Sequence, residues 1–310
     1  MQPKYYYTIS VFFLLIYFTY RILYKMCRLF LFLFPVLMFF SCQGAEKKEI
    51  NASEIIKLLK SGKDIYLVNK IILDDLDFTV SSDAFHLNIA LLQCETTSNI
   101  FFANCIFIGK VTSNGKKGQS PLQSRFNKNL IFFNCDFRGE VDFDQAIVFG
   151  MVNFSKSTFR EDVNFNNMAV WSKDSYFSEI KAEKSFSMVF ASFLGNLHFI
   201  SAKFDQNSNF QETSVKGKLS FSNAIFGGRA GLDLMEVGNS TFFNYAVFEK
   251  NANLSFSRFL HTADFIKTTF KEKGNLEKAY FLNTVRFEGI DVENKLILTD
   301  TFFGNKFITK

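Results

Sequence analysis

Residues 197–226 read LHFISAKFDQNSNFQETSVKGKLSFSNAIF, and this stretch contains the pattern that decides the fold. Large apolar residues recur at alternating steps of five and six, beginning with Phe199, Phe204, Phe210, Val215 and Phe221. The same spacing continues without a break to Phe303. At about 100° per residue, such steps would place successive members on opposing sides of a helix. The pattern therefore excludes an amphipathic α-helix.

A second pattern lies two residues before each large apolar residue, where most side chains are small. Ala202, Thr213, Ala224 and Ala246 are examples. Residues two apart point to the same side of an extended chain, so each short strand sends one small and one large side chain inward. The chain has 43 Phe but one Trp and three Pro, a bias that one repeated core socket explains. We therefore predict a long solenoid of short strands.

Several units have a small residue, then Asp or Asn, then Phe or Leu. Ala263-Asp264-Phe265, Val141-Asp142-Phe143 and Ala252-Asn253-Leu254 are examples. They resemble the unit of the pentapeptide-repeat family. The resemblance implies an all-β fold over residues 63–310, a right-handed quadrilateral β-helix with four short faces per coil. The alternation of five and six departs from the strict family spacing and predicts coils of about 22 residues.

The earlier part of the body fits this spacing with interruptions. We expect Leu67, Ile72, Phe78 and Ile89 at the large inward positions, with Ile65, Leu76 and Leu87 as their inward partners. The segments 100–107 and 130–137 are similar and start 30 residues apart. Their alignment places Cys105 and Cys135 at small inward positions. We expect the surplus residues, Thr112–Lys128, to form a protruding basic loop. A second interruption is expected over 166–192.

Residues 51–62, NASEIIKLLKSG, predict a short amphipathic helix that caps the first coil. Asn51 is expected as its N-cap, with Glu54 completing a capping box, and Ser61-Gly62 as its end. Residues 42–62 are thus a linker and a capping helix. No similar helix follows Phe303, and we predict that the C-terminal coil pairs with a second copy to form a homodimer.

Residues 1–41 are an apolar leader. From Met26, a short basic region precedes the apolar run Leu29–Phe40 and then Ser41-Cys42, the layout of a secretory signal. Translation from Met1 or from Met26 both remain open. The run ending at Cys42 resembles a bacterial lipoprotein signal, although Phe39 stands where the family has an aliphatic residue. The resemblance implies lipidation of Cys42 and a location at the outer membrane. The alternative is an uncleaved signal anchor in the inner membrane.

The formal net charge is +5, and Lys4, Arg21, Lys25 and Arg28 of the leader contribute four of these charges. The body therefore has 35 − 4 = 31 basic and 30 acidic residues, a net charge of +1. A nucleic-acid partner would favour a clustered basic face, and a DNA mimic would favour net acidity. We expect no nucleic-acid partner.

Catalysis and metal binding have no sequence support. His86, His198 and His261 are far apart, and the five Cys form no metal-ligand or disulfide spacing. The glycines of Gly227–Gly231 are interpreted as corner residues and His198 as a surface residue. We therefore expect no enzyme, cofactor or metal.

The expected function is a membrane-tethered, rigid scaffold for an unknown protein partner. The alternative is a DNA-mimic regulator like the gyrase-protecting members of the family. The candidate partner contacts are Lys116, Lys117, Arg125, Lys128 and Trp171.

Overall fold

The computed structural model describes residues 47–87 and 91–309. These residues form an all-β solenoid in which the chain visits four parallel sheets in turn. We number the sheets as faces 1 to 4, in the order in which the chain meets them from Ile65 onward. With 10 to 12 strands in each sheet, a strand spacing near 4.8 Å makes a rod of roughly 50 Å. The predicted solenoid is confirmed.

The strands are short, and those of each face stack along the rod in chain order. Face 1 contains Ile65–Val68, Ile100–Ala103, Leu130–Phe133, Val152–Asn153, Asp174–Tyr176, Asn196–His198, Leu219–Ser220, Thr241–Phe242, Ala263–Asp264, Thr284–Arg286 and Lys306–Ile308. Face 2 contains Lys48–Ile50, Lys70–Ile72, Ile106–Phe107, Asp136–Phe137, Thr158–Phe159, Lys181–Ala182, Lys203–Phe204, Ile225–Phe226, Val247–Phe248, Thr269–Phe270 and Asp291–Val292. Face 3 contains Leu76–Asp77, Val111–Thr112, Val141–Asp142, Val163–Asn164, Phe186–Ser187, Ser208–Asn209, Ala230–Gly231, Ala252–Asn253, Lys273–Asn275 and Lys295–Ile297. Face 4 contains Phe85–His86, Leu92–Thr96, Ser120–Phe126, Ile147–Val148, Ala169–Val170, Ser192–Phe193, Ser214–Val215, Glu236–Val237, Arg258–Phe259, Tyr280–Phe281 and Phe302–Phe303, with Asn114–Lys117 beside Ser120–Phe126.

The predicted coil length is confirmed over most of the rod. Groups stacked in successive coils are 22 residues apart, as in the bond from the Met151 amide to Asn129 Oδ1. One coil has an additional residue, because Val152 pairs with Ser175 rather than with position 174. The insertion lies between Val170 and Asp174. The interruption expected over 166–192 is therefore one extra corner residue, and the inward pattern continues on both sides of it.

The alternation of five and six has its origin in two kinds of corner. The step of five crosses a tight β-turn, as where the Ala202 amide donates to the Phe199 carbonyl at 3.1 Å. The third residue of that turn, Ser201, has a φ of 57°, the left-handed conformation that this kind of turn requires. Wide corners use the step of six, and none of the described left-handed non-glycine residues lies at one. The other left-handed non-glycine residues all lie at tight corners: Asn69, Asn104, Asn134, Gln145, Lys156, Asn167, Glu179, Phe190, Glu212, Asn223, Leu234, Tyr245, Phe256, Lys267, Lys278 and Asp300.

The core contains a continuous phenylalanine stack behind face 1, which confirms the predicted arrangement. Its rings are parallel, with centroids 4.9 to 5.5 Å apart. Every member is buried, so each ring contributes both apolar burial and offset stacking. The stack consists of Phe102, Phe132, Phe154, Phe177, Phe199, Phe221, Phe243, Phe265 and Phe287.

At the tight corners, small polar residues inside the rod have hydroxyl groups that find backbone acceptors. Ser157 Oγ donates to the Phe132 carbonyl at 2.8 Å, and Thr268 Oγ1 donates to the Phe243 carbonyl at 2.7 Å. A buried hydroxyl group without such a partner would carry a desolvation penalty. Serine and threonine therefore replace alanine at the small inward position of a tight corner.

The first coil differs from its prediction after Phe78. Leu87 is 51% exposed and does not point inward, and Ile89 lies outside the described residues. The chain instead forms a 3-10 turn at Phe78–Val80, and the strand Phe85–His86 then pairs antiparallel with Leu92–Thr96 on face 4. Cys94 and Thr96 then occupy the inward positions. The predicted spacing of five and six does not hold here because an insertion makes this coil 35 residues long.

The expected loop at Thr112–Lys128 is a β-hairpin and not an irregular segment. The strand Asn114–Lys117 pairs antiparallel with the first part of the strand Ser120–Phe126. The latter strand also runs parallel to Leu92–Thr96 and to Ile147–Val148, and its Phe126 side chain is buried. Only the tip of the expected loop protrudes. The eight surplus residues of this 30-residue coil form the outer strand and its turn.

The predicted helix is present at Ala52–Lys60, and Ile55 and Leu59 are its buried contacts with the core. Its N-cap is Asn51, but the Asn51 side chain makes no capping hydrogen bond. The capping box was therefore wrong; the Asn51 carbonyl accepts from the Glu54 amide instead. Ser61 ends the helix, and Gly62 has a φ of 72°. At the other end, Val292, Leu298 and Phe303 are only partly buried.

Candidate interaction surfaces

The predicted contact residues lie in three separate places. Lys116 and Lys117 are exposed at the tip of the hairpin, next to Gly118, which has a φ of 64°. Lys128 lies at the corner before face 1, where its Nζ is 3.4 Å from Asp64 Oδ1. The Asn99 side chain and amide donate to Asp64 and lower the pKa of its carboxyl group. Lys128 is thus held by a partner on its own rod.

Arg125 and Trp171 are brought together by a residue that the sequence did not single out, Phe149. The Arg125 guanidinium carbon lies 4.5 Å from the centre of the Phe149 ring, a cation–π arrangement. On the next coil, the Trp171 ring stacks on Phe149 with centroids 5.9 Å apart. Leu194 follows one coil further and is 55% exposed. We call Arg125, Phe149, Trp171 and Leu194 the aromatic ridge.

The aromatic ridge is built by the backbone ladder of face 4. The amides of Phe149, Trp171 and Leu194 donate to carbonyls of the preceding coil at 2.9 Å each. Their side chains consequently project from successive coils at the same corner. Trp171 is 56% exposed, so the ridge presents an aromatic surface beside a guanidinium group. Such pairs are common at the centres of protein interfaces.

The exterior is apolar on face 1 in the first three coils and on face 2 in the first two, a feature that sequence reasoning missed. On face 1, Tyr66 and its equivalents Phe101 and Ile131 occupy the outward position that Asn153 has in the fourth coil. Val68 and Phe133 occupy the outward position that Ser155 has there. On face 2 the equivalents of Thr158 in the first two coils, Ile71 and Ile106, are also apolar. We call this region the N-terminal apolar surface. It consists of Tyr66, Val68, Ile71, Leu73, Phe101, Ile106, Ile108, Ile131 and Phe133.

A signal for this surface was present in the sequence. Runs such as Ile71-Ile72-Leu73 and Ile106-Phe107-Ile108 are longer than alternation needs. In each run the middle residue is buried and its neighbours are partly or fully exposed. The register therefore divides these runs into one core residue and two surface residues.

Further along face 2, the exterior is a ladder of alternating charges. Asp136 Oδ1 is 2.7 Å from Arg160 Nε, and Lys181 Nζ is 2.6 Å from Glu183 Oε1. Burial acts to raise the pKa of Asp136, but its hydrogen bonds with Arg160 and Arg138 prevail and lower it. The ladder links neighbouring coils by ion pairs. Its members, in order along the rod, are Arg138, Asp136, Arg160, Glu183, Lys181, Asp205 and Lys203.

The three cysteines of the described body are free and buried. Cys105 and Cys135 occupy the small inward positions predicted for them, on adjacent coils. Burial together with the neighbouring Cys105 thiol raises the pKa of Cys135 well above its usual range. A protonated, inaccessible thiol is a poor nucleophile. The hydrogen bond with Cys135 lowers the pKa of the Cys105 thiol, but Cys105 is fully buried. Both side chains therefore act as core residues.

The glycine-rich segment Gly227–Gly231 forms a shallow groove on face 3. Gly227 and Gly228 lie at the predicted corner, but Gly231 lies within the strand Ala230–Gly231. Because Gly231 has no side chain, the polar column between Asn209 and Asn253 is interrupted. The groove has a volume of about 320 Å³, and its lining includes Arg229.

His198 lies on the outer side of face 1, as predicted. Its ring stacks on Tyr176 at 5.1 Å, and its Nε2 lies 3.5 Å from Asp174 Oδ1. Within residues 47–87 and 91–309, no three His, Cys, Asp or Glu side chains are placed to hold a metal ion.

Comparisons of the chain with protein-family models, with curated proteins and with solved structures found no match. In the part of the chain that the structure describes, no helix is both long enough and apolar enough to span a bilayer. Cys42 and the rest of the leader lie outside the described residues.

Proposed function

We propose that this protein is a membrane-tethered, non-enzymatic scaffold of the pentapeptide-repeat class, which presents a rigid rod to a protein partner. The observation that carries the proposal is the aromatic ridge, a partly exposed aromatic column fixed on an unbroken parallel ladder. Because each coil holds the next through four sheets, the ridge is preorganised. Preorganisation reduces the entropic cost of binding.

Three features support the pentapeptide-repeat assignment. The coils contain four short strands, most units pair a small with a large inward residue, and tight corners close by β-turns. The alternation of five and six is a variation on the strict repeat, since the wide corners need one more residue than the tight corners.

The membrane tether is proposed from the leader. The apolar run Leu29–Phe40 followed by Ser41-Cys42 supports lipidation of Cys42 and an outer-membrane location. Mass spectrometry of the N-terminal peptide from the native membrane fraction tests this proposal. A diacylglyceryl group on Cys42 is the expected result. An intact Met1 or Met26 would instead indicate a signal anchor.

Photo-crosslinking tests the partner contact. A benzophenone amino acid at position 171 of the full chain, expressed in its own cells, should form one discrete protein adduct. The matched control is position 216 on the same corner, where Lys216 is ion-paired with Glu236 at 2.9 Å, and it should form none. Phe149→Ser should abolish the adduct at 171. Equal adducts at both positions, or none at 171 in membrane-bound protein, would contradict the scaffold proposal.

Pairing of C-terminal coils into a homodimer stays a prediction. The molecular mass of the protein, measured by light scattering, checks it.

A further inference from the structure

The N-terminal apolar surface differs from the exterior of the coil that follows it. In the fourth coil the corresponding outward residues are Asn153, Ser155, Thr158 and Arg160. The surface turns the corner between faces 1 and 2, so its two halves form one convex region. Tyr66, which is 65% exposed, contacts Phe101 with ring centroids 6.1 Å apart. Exposed apolar regions of this kind mark interaction sites.

The chain enters the rod beside this surface. The strand Lys48–Ile50 pairs in parallel with Lys70–Ile72, so that Glu49 lies next to Ile71 on face 2. Lys47 is five residues from Cys42, and five extended residues span about 17 Å at most. A lipid on Cys42 would therefore hold the first coil within that distance of the bilayer.

The chemistry of the surface suits the interfacial zone of a membrane. Aromatic side chains concentrate there because they have an apolar ring and tolerate polar surroundings. Between the two apolar halves runs an amide column, in which Asn134 Nδ2 donates to Asn104 Oδ1 at 2.7 Å. Lys156 covers the far edge, with its Nζ 5.9 Å from the Phe133 ring centre. These polar groups favour the headgroup level over the hydrocarbon centre.

We propose that the N-terminal apolar surface docks on the lipid bilayer that holds the tether, with Tyr66 and Phe101 at the level of the acyl-chain boundary. The inference rests on the proposed lipid anchor at Cys42 and names what the tethered end of the rod contacts. A tether alone leaves the rod free to rotate, whereas a docked surface fixes which faces point away from the membrane.

Fluorescence quenching by brominated lipid tests the docking. The chain has one Trp, so Trp171→Phe removes the background, and Tyr66→Trp places an indole in the surface. The matched control is Phe242→Trp, in the same outward column of face 1 but in a later coil. Both full-length variants are purified from membranes and reconstituted in phosphatidylethanolamine and phosphatidylglycerol vesicles containing brominated phosphatidylcholine. Flotation of the vesicles measures tethering independently.

Quenching of about twofold or more at position 66, with no quenching at 242, is the expected result. Adding Leu73→Asp and Ile108→Asp should remove the quenching and leave flotation unchanged, because both residues are exposed and outside the tether. A protein that floats without quenching at position 66 overturns the docking while the tether stands. A blue shift at 66 that depends on protein concentration, without quenching, assigns the surface to a second copy and also overturns it. Failure to float contradicts the tether itself.

Discussion

The first three coils and the later coils share one interior and have different exteriors. Inside, the stack passes from Phe102 and Phe132 to Phe243 and Phe265 without a change of geometry. Outside, the first three coils are apolar on face 1, whereas the fourth coil is polar there. The first two coils are enlarged by insertions, and the coils after them have 22 residues, with one exception. The difference teaches that the inward positions determine the fold, and that the outward positions are free to acquire a function.

The largest effects should come from alanine substitutions in two pairs of adjacent phenylalanines, in which one side chain points inward and the other outward. Phe132→Ala and Phe243→Ala should each lower the free energy of unfolding by about 3–5 kcal/mol, because each leaves a cavity in the stack. Phe133→Ala and Phe242→Ala, at outward positions, should each cost less than about 1 kcal/mol. Urea denaturation of the four full-length variants measures these differences. Unequal costs for the two inward variants would show that the regions do not share one interior.

The next largest effect should come from the ion pair of face 1 between a buried carboxylate, Asp264, and a partly exposed guanidinium, Arg286. Asp264 is 1% exposed, and Arg286 Nε donates to its Oδ1 at 2.6 Å. Arg286→Ile should cost about 3 kcal/mol because it leaves a buried carboxylate unpaired. The double variant Asp264→Ile, Arg286→Ile copies the apolar exterior of the first coils and should recover most of this loss. Chemical denaturation measures both, and a double variant as unstable as the single variant would contradict the interpretation.

A smaller effect of opposite sign is expected at the tight corners. The first coils have Asn69, Asn104 and Asn134 at the left-handed position, whereas a later corner has Leu234 with a φ of 58°. Leu234→Gly should raise the free energy of unfolding by about 1 kcal/mol, because the left-handed conformation is strained for leucine. Asn134→Gly should give no gain, since asparagine tolerates this conformation. Thermal unfolding compares the two variants, and equal gains would refute the strain argument.

The smallest effect should be the pH dependence of the charge ladder, which begins where the N-terminal apolar surface ends. The pKa of Asp136 is lowered in the folded protein, so its contribution is present above the unfolded pKa and is lost as the pH falls through the folded pKa. Because the ladder is largely exposed, we expect about 0.5 kcal/mol at neutral pH. Asp136→Asn should be less stable than the wild type at neutral pH and equal to it near about pH 2. A difference that persists in acid would exclude the carboxylate as its cause.

Sequence reasoning identified the interior well where coils are regular. The inward pattern from Phe199 to Phe287 is buried throughout, and Cys105 and Cys135 are where their alignment placed them. The prediction for Leu87 was wrong because this coil contains an insertion. The inward pattern starts again in the strand Leu92–Thr96, which pairs antiparallel with Phe85–His86. The hairpin was missed because Leu122, Ser124 and Phe126 alternate only after a Gly- and Lys-rich segment typical of loops.

The surfaces were harder to predict than the interior. Trp171 and Arg125 were singled out separately, but their common contact with Phe149 depends on the stacking of coils and not on proximity in sequence. The N-terminal apolar surface was not predicted because its residues lie in apolar runs that also contain core residues. Once the register fixed Ile72 and Phe107 as inward, their neighbours Ile71, Leu73 and Ile108 had to be outward.

The central claim is that one interior supports both exteriors, and hydrogen exchange of the full-length protein tests it most directly. The residues from Lys47 onward form one compact unit, so strand amides of the first coils and of the later coils should open with the same free energy. Peptides covering the hairpin tip at 116–119 should exchange much faster. If the strands at 65–72 and 100–107 instead exchange well before those at 219–248, the first coils are a separate, weaker unit and the claim is wrong.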